Sequence, residues 1–191
     1  MAVESELAEL RATVTYLKDR ADILDCIQRE SRARDRQDVD MISGCWWPEG
    51  VDEHGAVIAT ADVYPEKANA GHRGGFIQTS HNITNQVIHA LDAGTASVES
   101  YVVGGLHWRE DGPKAGTVSL GIGRYLDQLE KRDGEWRILT RRCTIEMTLD
   151  GSADWLGAEA IKGFLKGQWS KDDPSYAYPY EWKPKEEGVR W

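Results

Sequence analysis

The chain has 191 residues, 40% hydrophobic and 29% charged, a composition that excludes disorder along its whole length. Its 23 Lys and Arg stand against 32 Asp and Glu, for a net charge of −9. Nucleic acid and anionic membranes are thereby disfavoured as partners, since no local basic patch offsets the repulsion.

The first ten residues, MAVESELAEL, lack the basic start and apolar core of a signal peptide, and no stretch approaches the length of a membrane span, so a cytoplasmic location is expected. Leu7, Leu10, Val14, Leu17, Ala21 and Leu24 recur at alternating steps of three and four, the seam of an amphipathic helix. Such a seam packs on its own domain or on a sister subunit. The helix either ends near Asp19 or Asp22 or bends and continues to about Gln37. Residues 38–47 read as a short helix closed by a turn at Pro48-Glu49-Gly50.

Beyond that turn the pattern becomes extended. VDEHGAVIA is a candidate hairpin, and residues 62–73 a short helix interrupted by Pro65. Strands are expected over 79–91, 96–108, 117–130 and 135–148, with turns at Asp92-Ala93-Gly94, Asp111-Gly112-Pro113 and Arg132-Asp133-Gly134. Helices first and long strands after them predict an α+β domain over 1–150, with a curved mixed or antiparallel sheet wrapped by the N-terminal helices. Residues 151–191 form a C-terminal extension, with a helical apolar face in Trp155, Ile161, Leu165 and Trp169. Its last stretch, rich in Pro, Tyr and Trp, is read as a lid over a pocket or a subunit contact.

The stretch TSHNITN alternates His81, Ile83, Asn85 and Val87 on one face, mixing polar with aliphatic side chains as the edge of a pocket would. Asp35 alone is a carboxylate among arginines, and His81 alone a core histidine. Together they form a base: with the helix across the mouth of the sheet, Asp35 accepts the Nδ1 proton of His81 and leaves Nε2 free to take a proton from substrate. Arg141 and Arg142 are strand neighbours, so one faces inward, where a guanidinium stabilises an oxyanion or a leaving group. Tyr101 and His107 share one strand face, Trp47 is a candidate cavity wall beside a core Trp46, and each has an equally ordinary structural role. Gly121 and Gly123 mark bends or bulges. Cys26, Cys45 and Cys143 are far apart with no CxxC, and His54, His72, His81, His89 and His107 show no ligand spacing, so no metal or other cofactor is expected.

ILDCIQRESRARDRQDVDMISGCWWPEG, TSHNITN and GRYLDQLEKRDGEWRILTRR resemble the SnoaL-like branch of the nuclear transport factor 2 superfamily, and are similar to lyases of the lindane dehydrochlorinase type and, more distantly, of the scytalone dehydratase type, over roughly residues 17–148. That resemblance implies a cone-shaped α+β barrel, commonly trimeric, with an apolar cavity and a His-Asp dyad. Residue by residue the dyad falls on Asp35 and His81 and the pocket arginine on Arg141, with Asn85 as a hydrogen-bonding neighbour. The expected activity is that of a cofactor-independent lyase removing a proton from a hydrophobic, aromatic small molecule with loss of water or an aldehyde such as formaldehyde, as in deformylation of a lignin-derived diaryl compound. Asp52, near a position where the dehydrochlorinases carry a pocket tryptophan, and the longer tail argue against a dehalogenase. The alternatives are an isomerase or cyclase of a polycyclic ketone and a non-catalytic binding module.

Overall fold

The computed structural model describes residues 2–180 and 188–191. Helix α1 (Ala2–Arg36) is continuous, with neither a stop nor a bend at Asp19. The Asp19 carboxylate serves a tertiary contact instead, accepting the Trp136 indole N–H at 3.0 Å and the Lys131 ammonium at 2.6 Å. The buried stripe of α1 is Ile23, Cys26, Ile27, Glu30, Ala33 and Arg34, whereas every residue from 2 to 18 is exposed. The leucine seam therefore does not pack on its own domain: Leu7, Leu10, Val14 and Leu17 are all in solvent.

Gln37 stops α1 in the left-handed region at φ 57°, where the Asp38 N–H reaches back to the Ala33 carbonyl at 2.9 Å. Asp38 then caps α2 (Val39–Gly44) by accepting the Met41 N–H at 3.2 Å. Trp46, Trp47 and the Pro48-Glu49-Gly50 segment are not a helix end and a turn. They open strand β1 (Trp46–His54), which changes register between Trp46 and Val51. That irregularity places proline where no ladder donor is needed. β2 (Val57–Thr60) completes the hairpin expected from VDEHGAVIA. α3 (Tyr64–Gly75) holds Pro65 in its first turn, so the proline starts the helix rather than interrupting it.

Four long strands follow: β3 (Phe76–Leu91), β4 (Thr95–Trp108), β5 (Thr117–Arg132) and β6 (Glu135–Ser152). Asp133 and Gly134, at φ 50° and 86°, turn β5 into β6 with the twist a tight hairpin requires. The sheet order is β2-β1-β6-β5-β4-β3, antiparallel throughout except for the β1–β6 pair, giving an open mixed sheet in an α+β cone. Ile23, Ile27, Ile42, Trp46, Leu129 and Ile138 centre the core between helices and sheet.

Residues 155–169 do not form the expected α-helix. A single 3-10 turn spans Asp154–Gly157, and of the expected face Trp155 and Leu165 lie exposed while Ile161 and Trp169 are half-buried. The later tail packs on the end of α1: Arg36 meets Asp173 at 2.7 Å, Arg32 donates to Ser175 Oγ at 2.9 Å, and the Tyr176 hydroxyl donates to Asp38 at 2.6 Å. The Trp182 portion of the expected lid lies outside the described residues. Among the described residues, no helix is long and apolar enough to cross a membrane.

Candidate active site

Helix α1 presents Asp35 to the inner face of β3, where Thr79, His81 and Ile83 point inward. The Asp35 carboxylate accepts the His81 backbone N–H at 2.6 Å and the Thr79 hydroxyl at 3.1 Å, and its Oδ1 lies 2.6 Å from His81 Nδ1. Both side chains are nearly inaccessible, at 9% and 7%. Burial alone would raise the Asp35 pKa, but the hydrogen bonds and charge from His81 outweigh it and hold the group below the usual carboxylate value. An ionised Asp35 can only accept, which assigns the proton to His81 Nδ1 and the lone pair to Nε2. Among the described residues Nε2 has no hydrogen-bond partner.

Burial first, and then the charge of Arg34, push the His81 pKa below its ordinary value despite the opposing carboxylate. The imidazole is thus neutral near pH 7. His81 opens onto a cavity of about 160 Å³ between α1, α3 and strands β4 to β6, walled by Val102, Leu106, Gly123, Tyr125 and Ile145. His72 of α3 stacks on His81 with ring centres 5.4 Å apart, and burial drives its pKa down to about 3. Arg34 also lines this space; it donates to the Tyr125 hydroxyl at 2.9 Å, while its buried Nε has no partner.

The alternation expected of TSHNITN holds only to Ile83. At Asn85 the backbone enters φ 40° and β3 shifts register against β4, so Asn85 and Val87 turn outward. Asn85 therefore does not adjoin the dyad. Tyr101 and His107 fall on the β4 face opposite Val102, Gly104 and Leu106, away from the cavity. Trp47 is held elsewhere, donating to the Glu130 carbonyl at 3.0 Å between the guanidiniums of Arg132 and Arg137 at 4.5 and 4.8 Å.

Arg141 does face inward, with Arg142 outward and paired to Glu53 at 2.8 Å. It is not available to a ligand, however. Asp127 takes Nε at 2.7 Å and Nη2 at 2.9 Å, Glu30 takes Nη1, and the Tyr125 ring covers the guanidinium at 4.0 Å. Two arginines line the cavity instead, Arg34 beside His81 and Arg124, whose guanidinium is already paired with Glu99 and Glu146. A sequence signal for Arg34 existed: Ile23, Ile27, Glu30 and Arg34 continue one helical stripe, so the arginine belongs to the buried face. No comparable signal marked His72.

The site can therefore accept a proton at His81 Nε2 and hold negative charge near Arg34 inside a largely apolar enclosure. A family model described as SnoaL-like domain matches residues 15–142. Among solved structures, the chain is similar to a candidate scytalone dehydratase from Novosphingobium aromaticivorans, with 23% identity, a TM-score of 0.64 and coverage of 73% of this chain and 91% of that one. It is also similar to a type 2 hexachlorocyclohexane dehydrochlorinase, with 18% identity, a TM-score of 0.66 and coverage of 73% and 93%. A third similar structure is a Mycobacterium tuberculosis protein of unknown function, at 24% identity and TM-score 0.60, covering 70% and 75%. The comparison with curated proteins gave no match. The family match spans most of the chain and includes the part of α1 that carries Asp35 and the strand that carries His81: the protein belongs to the SnoaL-like family.

Proposed function

We propose that the protein is a lyase in which His81, oriented by Asp35, removes a proton from a hydrophobic aromatic small molecule, with loss of water or of an aldehyde such as formaldehyde. The observation that carries this reading is the 2.6 Å contact between His81 Nδ1 and Asp35 Oδ1 beside an unpartnered Nε2. A cavity meant only to bind has no need of an oriented, neutral imidazole. Arg34 takes the role that the resemblance assigns to Arg141: its guanidinium stabilises the oxygen that gains charge as the proton leaves. The base and this anion-stabilising group are both supplied by the chain.

The cavity volume bears on substrate class. About 150 Å³ holds a single benzene ring, so one aromatic ring with its reacting substituent fits the 160 Å³ enclosure. The second ring of a diaryl compound must lie beyond it, toward the open groove on the other side of His81 formed by Ser31, Arg32, Asn82 and Thr84. The tail that packs on the end of α1 beside this groove is proposed as its cover. A cytoplasmic homotrimer is proposed as the working assembly, supported by the exposed apolar stretch Ile145, Met147 and Leu149 on β6.

The test is mass spectrometry of products after incubation with β-hydroxylated aromatic and diaryl compounds, using wild-type and His81→Ala protein, each with and without chelator. Loss of water or formaldehyde with the wild type alone supports the lyase. An isomeric product of unchanged mass moves the reading to an isomerase or cyclase using the same base, and no change with any compound moves it to a binding module.

A further inference from the structure

We propose a divalent-cation site of the zinc class formed by Asp52, His54 and Cys143, a constellation independent of the His81–Asp35 dyad. Asp52 and His54 are alternate residues of β1, and Cys143 lies on the parallel neighbour β6, where Asp52 pairs with Arg141 and Glu53 with Arg142. Alternation turns Asp52 and His54 to one face, and the register sets Cys143 beside them. The three ligand atoms converge within 4.8 Å of one another. His54 Nδ1 lies 3.0 Å from Cys143 Sγ and 3.5 Å from Asp52 Oδ2. Tetrahedral zinc with ordinary bond lengths has S–N and N–O edges of about 3.5 and 3.3 Å, near these two distances, and its S–O edge of about 3.6 Å requires the Asp52 and Cys143 side chains to close from a separation of at most 4.8 Å.

A thiol–imidazole hydrogen bond explains the first distance without a metal, but it leaves Asp52 unexplained. That residue is 1% exposed, and neither carboxylate oxygen has a hydrogen-bond partner. A buried orphan carboxylate is costly, and such groups are normally paired or bound to a metal. The charges nearby point the same way. Arg34 and Arg141 face three buried carboxylic groups, Glu30, Asp127 and Asp52, in one patch. A dication binds with release of the Cys143 thiol proton to solvent and adds net positive charge to this acid-rich patch. Carboxylate, imidazole and thiolate together suit zinc better than magnesium or calcium. Three protein ligands leave a fourth position open, and His54 and Cys143 both line the cavity that His81 enters.

The experiment is titration of chelator-treated full-length protein with Co²⁺, read by the thiolate-to-cobalt charge-transfer absorbance, followed by displacement with Zn²⁺. One equivalent is expected to develop the band and Zn²⁺ to abolish it. Cys143→Ser removes the band, and Asp52→Asn weakens cobalt binding at least tenfold. His54→Ala, at a ring 40% exposed, keeps the fold intact and also loses the site. Absence of the band in the wild type, or equal affinity in wild type and His54→Ala, overturns the assignment. This readout needs no substrate, so its failure and that of the lyase reading are distinguishable.

A second, separate observation concerns the exposed N-terminal half of α1. Val3, Leu7, Leu10, Val14, Leu17, Ala21 and Leu24 keep strict alternating steps of four and three, and residues 2–18 are all exposed. A lone arm of this length is marginal as a helix, and an uninterrupted seam of this period is that of a coiled coil. The geometry points to a parallel coil with further copies of this chain, an arrangement that the shared axis of the proposed homotrimer allows. With Leu7 and Val14 at a and Leu10 and Leu17 at d, Glu6 faces Arg11 and Arg20 faces Asp25 across the parallel interface. The antiparallel arrangement about the same centre also brings opposite charges together, Glu6 with Arg20, but sets Arg11 against its own copy at the middle, a repulsion that the parallel register lacks. Oxidation of a Leu10→Cys variant is expected to yield a cross-linked dimer, and an Ala12→Cys variant on the outer face is expected not to. Equal cross-linking of both, or none at Leu10→Cys, overturns the parallel coil.

Discussion

Arg34 and Asp35 are consecutive in α1 yet act on the His81 imidazole in opposite directions. The carboxylate, 2.6 Å from Nδ1, favours the imidazolium, whereas burial and the Arg34 charge disfavour it more strongly. Successive helix residues project about 100° apart, so one turn of helix delivers an orienting anion and an anion-stabilising cation to neighbouring points of one site. The result is a base that is fixed in tautomer but not charged.

The balance is measurable without a substrate. Proton NMR titration of the His81 ring should give a midpoint below the ordinary imidazole value of about 6.5. Asp35→Asn should lower it further and Arg34→Gln should raise it. A midpoint above that of a free imidazole in the wild type would contradict the burial and Arg34 effects together.

Turnover should follow the same logic. His81→Ala removes the base, and Asp35→Asn leaves it free to take the wrong tautomer, so each should lower kcat by about 10²–10⁴, with circular dichroism unchanged. Full activity in either variant would remove the dyad from the mechanism.

The two inward arginines should separate by readout. Arg141→Met strips the counter-charge from Glu30 and Asp127 and should cost about 3–5 kcal/mol of stability in denaturant melts. Arg34→Gln retains a donor to the Tyr125 hydroxyl and should lower kcat with KM little changed, at some cost in stability because Arg34 also faces the buried Glu30 and Asp52. The opposite pattern would return the anion-stabilising role to Arg141.

Much of this was legible before folding. The α+β order, the four long strands, the β1–β2 hairpin and the pairing of Asp35 with His81 follow from period, turn residues and motif. What failed did so for local physical reasons. Asn85 left its predicted face because a bulge resets alternation, and alternation carries no mark of a bulge that lacks glycine. Tyr101 and His107 were on a correctly drawn strand, but periodicity does not say which face is inner. Arg141 was rightly inward, and only tertiary contacts reveal that Asp127 and Glu30 already occupy it. His72 sits on α3, which runs directly into the strand of His81, and only the angle between helix and strand stacks the two rings.

That stacked histidine should make the fold acid-labile. Its folded pKa is about 3, below the unfolded value, so the unfolded chain binds the extra proton first. The stabilisation is complete above pH ~6.5 and is lost progressively as pH falls toward 3, on the order of 5 kcal/mol at most. His72→Gln removes this contribution and should move the acid-unfolding midpoint, followed by tryptophan fluorescence, to lower pH relative to the variant's own neutral stability. An unchanged profile would place the acid sensitivity elsewhere.

Two glycines of β5 offer a contrast that tests the cavity wall itself. β5 and β6 shift register between Ile122 and Gly123, and a Cβ at Gly123 would lie 1.9 Å from the Thr144 carbonyl oxygen and 2.8 Å from its carbon. Both neighbours are backbone in a paired strand, so neither can yield without breaking the ladder. At Gly121 the same added carbon meets only the Ile145 Cδ1 at 3.9 Å, an ordinary contact. Gly123→Ala should therefore cost at least about 3 kcal/mol, a fall in Tm of roughly 6–12 °C, while Gly121→Ala stays within about 1 kcal/mol. Since Gly123 and Ile145 both wall the cavity that His81 enters, the surviving fraction of Gly123→Ala should also bind aromatic ligand more weakly. Equal melting temperatures for the two variants would mean that β5 and β6 do not meet in this register, and with it the placement of Tyr125 and Cys143 around the site would fall.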